Sequence, residues 1–406
     1  MTHDQDQDRL AAQIMIPLFC VVAIDAIGMG VVLPLLPFYS QYFGANAFAI
    51  GALVAVFSLG QFVAAPLLGR LSDHFGRKPV LLLSQAGTLA SLVMLACAGN
   101  LLMVFLARIL DGLTSGNIAV ASAVAVDHSS PANRRRAIGV VGAAIGVGMM
   151  CGPMLAALLA HMSMSAPVWA AAALALLSIG VNAVFLPAQA KPPAHLKSER
   201  QVTISEALKL SGVASVLIVL GMFYFAFAMY ISQFALFLQE RYRWGSFAFG
   251  AREVGVVFAA SGAINIFIQA VAIKRLEKWI PDHLIASASL ALFAGGLILV
   301  DRLPGLAFLA IGLALASVGA ALARPSLMAS LSLASPQAHQ GAMMGLSTAL
   351  MAICTVVGPL GAGLLIKLHL YSGWALTIST IMLVAAFCAQ FFARMNRWPT
   401  AHTSPS

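Results

Sequence analysis

The sequence predicts an all-α polytopic membrane protein, with twelve transmembrane helices arranged as two pseudo-symmetric six-helix bundles. Three observations carry this. Of 406 residues, 61% are hydrophobic and only 9% charged, whereas a soluble domain carries about a quarter charged residues. The mean hydropathy is +0.93. Apolar windows of about 20 residues, the length that crosses a bilayer as a helix, recur along the whole chain. A glycine-proline pattern also repeats half a chain apart.

The N-terminus, MTHDQDQDRL, is acidic and lacks a basic n-region, so the first apolar stretch reads as a span rather than a cleaved signal. Apolar windows fall at 14–38, 46–68, 79–98, 101–126, 137–160 and 166–188, then at 212–238, 250–273, 283–300, 304–330, 341–366 and 371–394. Between the two sets lies a polar break with Pro187, Lys191, Pro192, Pro193, Lys197, Glu199 and Arg200. It predicts an N-terminal bundle over 1–188, a cytoplasmic linker over 189–211 and a C-terminal bundle over 212–406.

With both termini cytoplasmic, the inner segments collect most of the lysines and arginines, including Arg70, Arg77, Lys78, Arg134, Arg135 and Arg136. The outer loops hold only Arg241, Arg243, Arg252, Arg302 and Lys367. That asymmetry obeys the positive-inside rule and suits a multi-pass protein of the inner or plasma membrane. The net charge of +9 therefore reflects topology, and the Arg134–Arg136 run reads as a lipid-phosphate anchor rather than a nucleic-acid site. The cysteines Cys20, Cys97, Cys151, Cys354 and Cys388 lack metal-ligand or disulfide spacing and read as core fillers.

Gly139 is followed thirteen residues later by Gly152-Pro153, and Gly345 thirteen residues later by Gly358-Pro359. Both pairs sit on the fifth span of their half, which points to duplication. Duplicated halves with a site between them are the plan of many secondary transporters.

Gly69-Arg70-Leu71-Ser72-Asp73-His74-Phe75-Gly76-Arg77-Lys78-Pro79, between the second and third windows, resembles the signature loop of the major facilitator superfamily. The first span, from Ile24-Asp25-Ala26-Ile27-Gly28-Met29-Gly30 through Pro34 and Pro37, looks like that of tetracycline-efflux and related multidrug:proton antiporters. So does Arg108-Ile109-Leu110-Asp111-Gly112-Leu113-Thr114-Ser115-Gly116-Asn117 in span four. The glycine run ending in Gly152-Pro153 is similar to the antiporter motif of that superfamily. The second half echoes the loop only weakly, as Lys274-Arg275-Leu276-Glu277-Lys278.

Ionisable groups within a bilayer are costly and mark function by default. Asp25 lies about eleven residues, ~16 Å, into span one. Arg108 and Asp111 lie ~10 and ~15 Å deep in span four, three residues apart on one helix face. The three could meet at one level, and Asp25 is the first choice as proton carrier. Arg108 with Asp111 reads equally well as a structural pair. The resemblance supports a first-span acid in coupling, although spans seven to twelve lack the mid-membrane acids of tetracycline exporters; Glu253 and Asp301 read as terminal.

Gln61, Asn117, Tyr230, Gln233, Asn265 and Gln269 are the candidate substrate contacts. The aromatic run of span seven, from Phe223 to Phe237, serves mainly packing or lipid contact. The loop suggests a conformational latch of Gly69, Asp73, Gly76, Arg77 and Lys78, with Asp127 and Arg136 as partners and both glycines allowing a tight turn. Gly142, Gly146, Gly148, Gly152 and Pro153 of span five, with Gly358 and Pro359 of span eleven, suggest close helix packing across the halves. No metal cluster, phosphate-binding loop or nucleophile triad is visible, so no enzyme activity, metal or cofactor is expected; the energy source would be a proton gradient. The resulting expectation is a monomeric, proton-coupled exporter of a small amphipathic compound. An uptake symporter and a non-transporting receptor are the alternatives.

Overall fold

The computed structural model describes residues 2–127, 129, 134–186, 212–272, 275–276, 279–303, 305–335, 340–395 and 397–399. Twelve helices among them are long and apolar enough to cross a membrane, from Met15–Tyr42 to Tyr371–Arg394. Helix is the form that hydrocarbon demands, because it satisfies every backbone N–H and C=O within the segment. The predicted linker at 189–211 lies outside the described residues.

The spans differ from the hydropathy windows in four instructive places. The second helix continues unbroken from Ala47 to Phe75, so Gly69 sits inside a helix rather than in a turn. Gly76 alone makes the turn, at φ 95°, where a side chain would be strained; the third helix starts at once with Arg77. Span four is two helices, Leu101–Thr114 and Asn117–Asp127. Span eight closes in a π-helical turn, Ile268–Ala272. Finally, Arg243–Trp244 and Phe247–Ala248 form a small antiparallel hairpin after span seven, turned by Gly245 at φ 62°.

Two compact units emerge. One comprises Met1–Asn46, Leu53–Ala194 and Gly250–Ala259; the other Ala47–Ala52, His195–Phe249 and Ala260–Ser406. Each therefore includes a short segment from the other half of the chain.

In the first unit, Leu18, Val21 and Val22 of span one pack with Val80, Leu81, Val120, Val124 and Ala144. In the second, span seven is the hub. Phe223, Tyr224, Tyr230, Phe234 and Phe237 are all buried, so most of the aromatic run faces protein, not lipid. Tyr230 lies edge-on to Phe293 at 5.1 Å between ring centroids, and Trp374 donates its indole N–H to Met229 O at 3.2 Å.

One end of this unit is pinned by a buried acid. Asp301 ends span nine as expected, but its side chain is fully buried, paired with Arg241 at 2.8 Å and bonded by Ser372 Oγ at 2.8 Å. The neighbouring Tyr242 hydroxyl donates to Val300 O at 2.6 Å. Burial pushes the Tyr242 phenol up to about 12, against the opposing influence of Arg241 and with the help of Asp301.

Candidate functional site: a carboxylate beside a broken helix

The break in span four follows from its sequence. Thr114-Ser115-Gly116-Asn117 is a run of poor helix formers that compete for backbone hydrogen bonds. The freed groups find partners on adjoining spans. Gly116 N donates to Ser84 Oγ at 3.0 Å, and the Ser84 hydroxyl bonds Thr114 O. Gln61 Nε2 donates to Ser115 Oγ at 2.9 Å.

The second half-helix begins with Asn117, which is buried and donates from Nδ2 to Asp25 Oδ1 at 2.6 Å. A carboxylate on span one thus faces the start of a half-helix and meets a neutral amide. Half-helix termini directed at a site are a recurring device of secondary transporters. Asp25 also lines a small cavity with Gln85, Thr88 and Ser178.

Arg108 and Asp111 are paired with each other. Arg108 Nη1 lies 2.8 Å from Asp111 Oδ2, and both side chains are largely buried. The guanidinium also lies 4.1 Å over the Phe57 ring, a cation–π contact. The three charged groups expected together are therefore divided in their partnerships: Asp111 has a formal counter-ion, and Asp25 has an amide.

On the loop, Arg77 gathers the acids. Its Nη1 lies 2.6 Å from Asp73 Oδ1 and its Nε 3.1 Å from Asp127 Oδ2, with Ser72 Oγ accepting at 2.6 Å. Lys78 turns elsewhere, donating to Ala183 O at 2.8 Å and Leu186 O at 2.5 Å, where a lysine satisfies the last carbonyls of span six. The Arg136 side chain lies outside the described residues.

The glycine motif brings helix backbones close together. A Cβ on Gly152 would lie 2.6 Å from Gly30 Cα and Ile27 O, and one on Gly148 would collide with Ala26. The close approach of span five is to span one of its own unit. Gly358 behaves equivalently, its Cβ position lying 3.0 Å from Ala228 Cβ and 3.1 Å from Phe225 O on span seven. Each run thus seats its helix on the first span of its repeat, while Pro153 O closely approaches Gly255 of span eight and Pro359 O closely approaches Gly51 of span two. Gly142 borders open space and Gly146 is half-buried. Pro153 and Pro359 both lie inside helices.

The remaining candidates fall in the second unit. Gln233 is wholly buried and donates to Ala47 O at 3.0 Å; its Oε1 is buried without a partner among the described residues. Tyr230 is in the aromatic core. Gln269 donates to Asn265 Oδ1 at 2.6 Å on an exposed face. The polar residues missed in reading the sequence are Ser84 and Ser115, which stitch the helix break; the signal for Ser115 was the Ser115-Gly116-Asn117 run, a punctuation pattern for a loop, and Ser84 on span three had none.

Twelve spans in two units, a shared repeat and a membrane-embedded acid beside a discontinuous helix define a polytopic transporter rather than an enzyme. The chain belongs to the Major Facilitator Superfamily, whose model matches residues 18–286. It is 31% identical over 351 residues to the class D tetracycline resistance protein of Salmonella ordonez, covering 84% of this chain and 86% of that protein. It is 24% identical to multidrug resistance protein 1 of Bacillus subtilis (strain 168), covering 84% and 87%. The fold resembles that of the human organic anion transporter MFSD10 (TETRAN), with a TM-score of 0.69 at 24% identity, covering 94% of this chain and 99% of that one.

Proposed function

We propose that this transporter exports a small amphipathic compound in exchange for protons, and that Asp25 carries the proton. One observation supports the choice of Asp25 most directly: its partner is the neutral Asn117 amide at 2.6 Å, whereas Asp111 is ion-paired with Arg108. Protonating Asp111 would leave a buried arginine uncompensated, which is expensive. Protonating Asp25 leaves no unpaired charge. The proton cycle thus has one low-cost site in the first unit.

In this reading cargo and proton compete. Deprotonated Asp25 favours loading from the cytoplasm; protonated Asp25 favours release. The Arg77 cluster with Asp73 and Asp127 is the conformational latch, and Gln61, Asn117, Tyr230, Gln233, Asn265 and Gln269 are the candidate cargo contacts. Asn117 and Gln61 would act through Asp25 and the helix break. The protein works as a monomer in the inner or plasma membrane, both termini cytoplasmic, needing no cofactor. Resemblance to tetracycline and multidrug resistance proteins makes tetracycline the first cargo to test, ahead of chloramphenicol, siderophores or sugar-like metabolites.

The test uses proteoliposomes preloaded with labelled tetracycline, with the transporter oriented for export. An acid outer medium should accelerate loss of label, and nigericin should abolish the acceleration. Loss of label independent of the pH gradient would refute antiport. Accumulation with protons, rather than against them, would indicate symport, and saturable binding without flux would indicate a receptor.

A further inference from the structure

In each unit a glutamine and a serine bridge two spans. Gln85 Nε2 of span three donates to Ser178 Oγ of span six at 2.6 Å; Gln390 Nε2 of span twelve donates to Ser287 Oγ of span nine, also at 2.6 Å. The two seams are otherwise unlike. The first is closed: Gln85 is buried with Asn182 donating to its Oε1 at 2.7 Å, and Lys78 ties off the end of span six.

The second seam gapes. A groove of about 620 Å³ opens between spans nine and twelve, floored by Ala288, Ala291 and the Ser287–Gln390 bridge, walled by Leu284 and Phe387, and topped by Arg394. Phe387 is 67% exposed, so this wall faces hydrocarbon.

One basic residue, Arg394, lines the groove and is exposed. Trp279, one residue before the lining Ile280, is 86% exposed, at a level where an indole suits the membrane interface. Among the described residues lining the groove there is no acid to offset Arg394. An apolar slot ending at an exposed arginine matches a two-part ligand, with acyl chain along the slot and phosphate at the arginine. Basic pockets between transmembrane helices recognise anionic headgroups in this way.

We infer that the groove between spans nine and twelve is a binding site for one anionic phospholipid. The acyl chain lies along Ala288, Ala291 and Phe387, and the headgroup phosphate meets Arg394. Under the proposed orientation the lipid belongs to the cytoplasmic leaflet.

The test is native mass spectrometry of the purified, delipidated protein with equimolar phosphatidylglycerol and phosphatidylcholine of matched chains. The full-length protein should retain phosphatidylglycerol preferentially. Arg394→Gln should lower that preference about fivefold, the factor corresponding to the ~1 kcal/mol of one basic residue near a headgroup. Ala291→Leu, which fills the slot, should reduce retention of both lipids. Thermal unfolding and size-exclusion profiles check that each variant is folded, and Ala288→Leu substitutes if Ala291→Leu is not. Equal retention of the two lipids, or an unchanged preference in Arg394→Gln, would overturn the proposal. So would displacement of the lipid by glycerol phosphate alone, which would make the site one for a soluble phosphate.

Discussion

Asp25 and Asn117 are ninety-two positions apart and joined by a hydrogen bond of 2.6 Å. The amide gives the carboxylate a partner without giving it a counter-charge. Asp25→Asn should abolish proton-driven tetracycline export while leaving equilibrium binding within a few-fold of the parent. Export assays in everted vesicles, paired with binding to purified protein, measure both. Concentration of cargo against a gradient by Asp25→Asn would transfer the role to Asp111.

Asp111 should respond in stability. Asp111→Asn leaves the Arg108 guanidinium buried with only the Phe57 ring and an amide, and breaking a buried pair costs about 3–5 kcal/mol. Thermal unfolding should show a large drop for Asp111→Asn and a smaller one for the double variant Arg108→Leu/Asp111→Leu, which removes both charges. A single variant as stable as the parent would contradict the pairing.

Gly152→Leu should prevent span five from seating on span one, since even a Cβ would lie 2.6 Å from Gly30 Cα. Poor folding yield is the expected outcome. Gly142→Ala, where the Cβ meets nothing within 4 Å, should fold normally. Similar yields for both variants would show that the close approach is dispensable.

Asp73 is 64% exposed in its pair with Arg77, and exposed ion pairs contribute at most about 1 kcal/mol. Asp73→Asn should therefore leave the melting temperature almost unmoved. If the loop is the latch, turnover should still fall at least tenfold. Parental turnover in vesicles would remove the latch assignment.

Tyr242 sets an alkaline limit. Its folded-state value, raised to about 12 by burial, exceeds the ~10 of an unfolded phenol. The contribution is complete below pH 10 and is lost as pH rises toward 12, because the unfolded chain ionises first. Tyr242→Phe should lower stability at pH 8 by about 1 kcal/mol, the net value of one hydrogen bond. It should also flatten the decline between pH 10 and 12. A decline of parental steepness would place its origin elsewhere.

Several site residues were legible as residues but not as partners. Asp25, Arg108 and Asp111 stood out because charge is rare in apolar windows, and the Arg108–Asp111 pairing followed from helical spacing. That Asp25 meets Asn117 was invisible, because it depends on where span four breaks and on how spans one and four pack. The glycines show the same division. Their spacing announced close helix contact, but Gly152 could have met any neighbouring helix, and it met Gly30. Asp301 read as a terminal charge because its position in the window is terminal; its burial came from Arg241 and Ser372, on two other spans.

By itself the sequence determined the membrane class, the twelve spans and the location of the Gly76 turn. Each of these rests on sums over consecutive residues: hydrocarbon rewards about twenty apolar positions in a row, and only glycine adopts the turn's positive φ without strain. The tertiary structure alone decided that Gly69 is helical, that span four is discontinuous at Ser115–Gly116, and that Asp25 faces an amide while Asp111 faces an arginine. The reason is physical. In an apolar medium the choice of partner for a polar group is made by whichever span packs beside it, and that neighbour lies tens of residues away in the chain.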